Sequence, residues 1–154
     1  MPNESQSLDL DRAHRHFAAD CFNRTWTLIE KADRSPADDE AMLLAASASL
    51  WHWTQRADRT DQNLSVGHWQ LSRVYSLLGR GEDAMRHAER SLQYASGSPP
   101  FYVGFAHEAI ARAALNLGNA ALSQEHLQQA QSLAATVSDP QDRVMLEMDL
   151  QSLA

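Results

Sequence analysis

Cysteine is all but missing from this chain: Cys21 stands alone among 154 residues, which excludes an intrachain disulfide and any paired-cysteine zinc site. No HExxH pattern occurs, so no metal is expected, and nothing in the sequence implies a cofactor. Alternating runs of β-branched residues are absent, and the six glycines and five prolines fall almost wholly between segments of helical periodicity, so the expectation is all-α. No stretch approaches membrane-spanning length, and no basic leader precedes an apolar run, so the chain is expected to be cytoplasmic, without a membrane partner. Positive charge is in short supply: 13 Lys and Arg against 20 Asp and Glu give a formal net charge of -7, which argues against nucleic acid, whose backbone calls for clustered cations. At this length residues 1–154 suffice for a single domain with its own core.

Seven helices are expected. The first, about Leu8 to Lys31, carries Ala18, Phe22, Trp26 and Ile29 on one stripe, after a polar Met1 to Gln6 read as a frayed tail. Ser35 caps the second, with Pro36 at its first position and Asp38, Asp39 and Glu40 in the positive-dipole turn. That helix is apolar on nearly every side (Met42, Leu43, Ala46, Leu50 and Trp53 on one face; Leu44, Ala48 and Trp51 on another) and reads as sandwiched between neighbours. Helix three ends near Leu78 before Gly79-Arg80-Gly81, and helix four follows. Ser98 stands as the cap of helix five, Gly118 ends it, and helix six runs to about Thr136. Ser138 or Asp139 opens a last helix over about 139–153, placed to cover the apolar end of the array.

One offset of 39 residues aligns His68 with His107, Arg73 with Arg112, Leu78 with Leu117, Gly79 with Gly118, His87 with His126 and Ala95 with Ala134. Each copy reads as a helical hairpin, and a hairpin cannot bury its apolar face alone, so the copies are expected to stack.

Counted from Ser65, Leu71, Ser72, Tyr75, Gly79, Ala84, Ala88, Ser91 and Leu92 fall on the large and small positions of a 34-residue helix-turn-helix unit. Counted from Gly104, Ile110, Ala111, Ala114, Gly118, Ser123, Leu127 and Ala130 do the same, with Pro99 to Val103 as five extra residues between the copies. Residues 65–98 and 104–137 thus resemble tetratricopeptide repeats, and 8–57 reads as a divergent first hairpin or a special cap. The resemblance implies a TPR-like stack of antiparallel hairpins whose concave face, lined by the first helix of each pair, binds a peptide or partner protein. It turns Val66, Trp69, Arg73 and Ser76 inward on one copy, and Phe105, Glu108, Arg112 and Leu115 on the next. The family's clamp for C-terminal carboxylates uses lysine and asparagine, which these positions do not supply.

Trp69, Arg73, Glu108 and Arg112 are therefore the candidate ligand-binding residues, with two arginines at one inward position of neighbouring helices able to clamp a small anionic group. The competing reading is self-satisfaction, because Glu108 and Arg112 stand at i, i+4, as do Trp69 and Arg73. His68 and His107 are expected as buried, hydrogen-bonded rings, His87 and His126 as solvated, and Cys21 as a buried inert thiol. No catalytic residue is assigned. The reading favoured is a non-enzymatic scaffold. The alternative is a small-molecule-binding protein or enzyme in which helix two brings His52, within Trp51-His52-Trp53, into a pocket with Trp69, Arg73 and Glu108. A homodimer burying the apolar ends of the stack is a third arrangement.

Overall fold

The computed structural model describes residues 9–154. The expected tail at Met1 to Gln6 and the expected helical start at Leu8 lie outside the described residues. Seven helices follow in order: α1 (Leu10–Ile29), α2 (Pro36–Gln55), α3 (Asp61–Leu77), α4 (Gly81–Ala95), α5 (Pro100–Asn116), α6 (Ala120–Ala134) and α7 (Pro140–Gln151), with no strand among the described residues. Three antiparallel pairs, α1/α2, α3/α4 and α5/α6, adjoin through α2 on α3 and α4 on α5; α3 also touches α5, and α7 rests on α5 and α6.

Local chemistry sets the ends. The Ser35 hydroxyl accepts from the Asp38 amide at 3.1 Å while the Asp38 carboxylate accepts from the Ser35 amide at 2.9 Å, a reciprocal cap that starts α2. Thr60 and Asn63 repeat the device at α3. Ser98, expected to cap α5, does not: Pro99 takes that position with no side-chain cap, and its missing amide and the ring of Pro100 define the start. Gly79 and Gly118 each adopt φ +71°, where a side chain is strained, and close α3 and α5 with the same bonds, Arg80 N–H to Tyr75 C=O and Asn119 N–H to Ala114 C=O, both 2.9 Å. The bounds of α3 and α4 coincide with those of α5 and α6 at the 39-residue offset of the sequence.

Small residues let the helices close up. Ser65 and Ser91 exchange hydroxyl-to-carbonyl bonds of 2.9 Å across α3/α4, Ser72 donates to the Ala84 carbonyl at 2.8 Å, and Gly104 lies so near Leu146 of α7 that an added Cβ would stand 2.6 Å from it. Ala111, the counterpart of Ser72, is fully buried. Replacing Ala111 with leucine is expected to overpack this contact and cost roughly 1 to 3 kcal/mol, whereas the same change at exposed Gln128 stays within about 0.5 kcal/mol. Equal shifts of the denaturation midpoint at constant slope would contradict the assignment of faces.

One expectation about α2 is corrected. The helix does lie between neighbours, packing chiefly on α1 and α3, but not on every apolar side: Leu44 is 63% and Trp51 55% exposed, so its second apolar face is the open end of the array. Cys21 is likewise half-buried rather than buried, and burial, with Asp20 beside it, raises its thiol pKa, which keeps it protonated and unreactive.

Candidate functional site

The inward faces of α1, α3 and α5 meet in a cavity of about 400 Å3. Phe22, Trp26 and Glu30 enter from α1, Val66 and Trp69 from α3, Phe101, Tyr102 and Phe105 from α5, and Met145 from α7. The rings pack edge and tilt: Trp26 to Trp69 with centroids 5.4 Å apart, Trp69 to Phe105 at 5.2 Å, and Phe101 to Phe105 at 5.0 Å. A second recess of about 240 Å3 shares Phe22, Val66 and Tyr102 with the first, so the two form one groove; its other walls include the amides of Asn23, Gln62 and Asn63.

Beside the cavity Trp69, Arg73, Glu108 and Arg112 form one connected network, completed by Asp149 and Ser152 at the end of α7. Glu108 is fully buried. Its carboxylate accepts from the Trp69 indole N–H at 2.8 Å, from Arg112 Nε at 2.7 Å and from Arg73 at 3.4 Å. Arg73 also donates to Asp149 at 2.9 Å, and Arg112 to the Ser152 hydroxyl at 2.8 Å. The side chains of Arg73 and Arg112 retain only 12% and 17% of their accessible surface, and two carboxylates face two guanidiniums. Burial pushes the Asp149 carboxyl above the usual carboxylate range, against the pull of Arg73 and Arg112. Arg73 Nε and Ser76 Oγ, one turn apart on α3, are buried without a protein partner.

His52 is elsewhere. Its Nδ1 lies 2.9 Å from Nδ1 of His14, among Trp51 and Phe17 at the exposed α1/α2 end, and it contributes nothing to the cavity walls. Helix two brings Trp53, not His52, to the groove, and only to its second recess; the aromatic wall of the first cavity comes from α1, α3 and α5.

The histidines follow a rule that sequence reasoning missed. His68 Nδ1 meets His87 Nδ1 at 3.0 Å, and His107 Nδ1 meets His126 Nδ1 at 2.8 Å, so His87 and His126 are hydrogen-bonded within their hairpins rather than solvated. The rings of Tyr94, His68, His87 and Tyr75 stack in one column with Arg90 and Arg80 over the end rings. Burial, with His87 and Arg90 beside it, lowers His68 to about 4; burial with Arg86 and Arg90 lowers His87, against Asp83, and burial with His126 lowers His107. The same 19-residue separation in both pairs, spanning the turn of an antiparallel hairpin, was the available signal.

Also missed were Phe101, Tyr102 and Met145, and Asp149 and Ser152, which reach the network from α7, outside the repeat register. Among the described residues no group of three or more His, Cys, Asp and Glu side chains is placed to hold a metal ion, and no helix is long and apolar enough to cross a membrane. No family model matches the chain, and neither a curated protein nor a solved structure is similar enough to match it.

Proposed function

We propose that this chain is a TPR-like, non-enzymatic binding scaffold that holds a peptide segment of a partner protein in its concave groove, anchored by an apolar side chain. The observation that carries this reading is the aromatic cavity at the meeting of α1, α3 and α5, where Val66, Trp69 and Phe105 stand at inward repeat positions. An open groove continuous with an amide-lined recess suits an extended ligand, whose main chain needs hydrogen-bond partners that a purely apolar pocket lacks. The anionic clamp has less support, because both guanidiniums already have Glu108, Asp149 and Ser152 as acceptors. An enzyme built on His52 has less support too, since the ionisable side chains lining the cavity are Glu30 and Tyr102 alone. A small apolar molecule is the second reading, favoured by a volume of about 400 Å3, within the range of ligand pockets.

Val66 lines both recesses and is half-buried, so Val66→Glu places a charge in the groove without emptying the core. Peptides selected from a random display library on the wild-type protein are expected to share a bulky apolar residue and to lose binding to this variant, whose unfolding free energy changes by no more than about 1 kcal/mol. Selected peptides that bind both proteins equally would move the site off the groove; no selected peptide, with an apolar dye displaced by the same substitution, would favour the small-molecule reading.

A further inference from the structure

We infer that the segment held in this groove is basic as well as apolar, with a lysine or arginine flanking its anchor side chain; this rests on the groove reading above.

The cavity excludes a polar anchor. The hydrogen-bonding side chains of its buried wall residues are already used: the Trp69 indole N–H goes to Glu108, and Ser65 and Ser91 bind each other's carbonyls. A polar group pushed in among these walls loses water and gains no partner, which costs roughly 1 to 3 kcal/mol in protein interiors.

At the edge the chemistry reverses. Glu30 is the one charged residue on the cavity wall, it is exposed, and it makes no ion pair among the described residues. It occupies the C-terminal cap of α1, the end at which the helix dipole disfavours a carboxylate. The cations that follow it are engaged: Lys31 pairs with Asp38 at 2.6 Å, and Arg34 pairs with Asp39 at 2.9 Å while donating to the Ile29 carbonyl. Glu30 stands one helical turn after Trp26, so a ligand cation at the mouth meets a carboxylate and an indole face together. The formal charge of -7 acts in the same sense over longer range.

The adjoining recess selects a peptide over an isolated alkylammonium. Asn23 and Gln62 make no side-chain hydrogen bond among the described residues, and Asn63 uses only its carbonyl oxygen, on Thr60. Their unspent amide groups, next to an apolar anchor site, match the donors and acceptors of a peptide main chain.

The test is the random-peptide display library applied in parallel to wild type, Glu30→Gln and Val66→Glu. Peptides retained by wild type but not by Val66→Glu are expected to carry Lys or Arg within a few residues of the apolar anchor, and this enrichment is expected to vanish on Glu30→Gln. A synthetic peptide from that set should bind Glu30→Gln roughly five-fold more weakly than wild type, the upper end for one exposed pair, and its twin with Gln for Lys or Arg should bind both proteins alike. Added salt should shrink the five-fold difference. Groove-dependent peptides without basic enrichment, or with acidic residues, overturn the inference and leave the groove standing; the absence of any peptide sensitive to Val66→Glu overturns both.

Discussion

Glu108→Ala is expected to destabilise the protein by roughly 3 to 5 kcal/mol, a large share of the stability of a domain of this size. The substitution strands three donors at once. The Trp69 indole loses its acceptor at 2.8 Å, Arg112 Nε loses its bond of 2.7 Å, and Arg73, whose Nε already lacks a protein partner, is left with Asp149 alone. Each guanidinium then remains largely buried with less than its charge in compensation, and that residue of uncompensated charge, not the worth of the ion pair itself, sets the magnitude. Glu108→Gln keeps one acceptor for Trp69 and should cost less. Asp149→Asn should cost least, because Asp149 stands at the exposed edge of the network and its carboxyl is already disfavoured as an anion. Chemical denaturation at neutral pH, read at constant slope, gives the order directly. A loss below about 1 kcal/mol for Glu108→Ala would mean that water enters freely and that the network is open enough to receive an external anion, which would restore the clamp.

That network marks how far the sequence could be read. The positive-φ turns at Gly79 and Gly118, the Ser35 cap and the matching bounds of α3/α4 and α5/α6 are local consequences of residue type and spacing, so a single sequence suffices for them. Trp69 beside Glu108 and Arg112 was legible for the same reason, through the shared 39-residue offset. Asp149 was not: it meets Arg73 from 76 residues away, by the docking of a helix that belongs to neither repeat. The aromatic wall divides in the same way. Phe22 and Trp26 showed as an apolar stripe, but whether such a stripe is core or groove depends on what packs over it, and here α3 and α5 cover it only in part. His52 belonged to the groove only in the alternative reading, in which helix two lines it; Trp53 does reach the second recess, but its neighbour His52 turns instead to His14 of α1.

Acidification is expected to weaken the fold between about pH 6.5 and pH 4, before the carboxylates titrate. In each histidine pair one Nδ1 donates and the other accepts, so His14 with His52, His68 with His87 and His107 with His126 each need at least one neutral ring. His68 is lowered to about 4 by burial, with His87 and Arg90 adding to it; His87 is lowered by burial, Arg86 and Arg90 against the pull of Asp83; His107 is lowered by burial and His126; His52 by burial and His14. An unfolded histidine titrates near 6.5, so below that pH the unfolded chain binds more protons than the folded one, and the stability present above about 6.5 drains as pH falls toward 4. Asp38 and Asp58, both lowered to about 2, add their loss only below about 4, and the raised Asp149 acts in the opposite sense. Discounted for its partial contact with solvent, the lowering of His68 alone is worth on the order of 1 kcal/mol between pH 7 and 4.5, and the other three lowered rings act in the same sense. His68→Asn retains a donor and acceptor near the Nδ1 position but cannot titrate, so the dependence of unfolding free energy on pH should be shallower in that variant than in wild type across the same window. Stability that is flat from pH 7 to 5, or an equal slope in both proteins, would mean that the paired rings are solvated well enough to charge in place, and the neutral column of Tyr94, His68, His87 and Tyr75 would then have no part in holding α3 to α4.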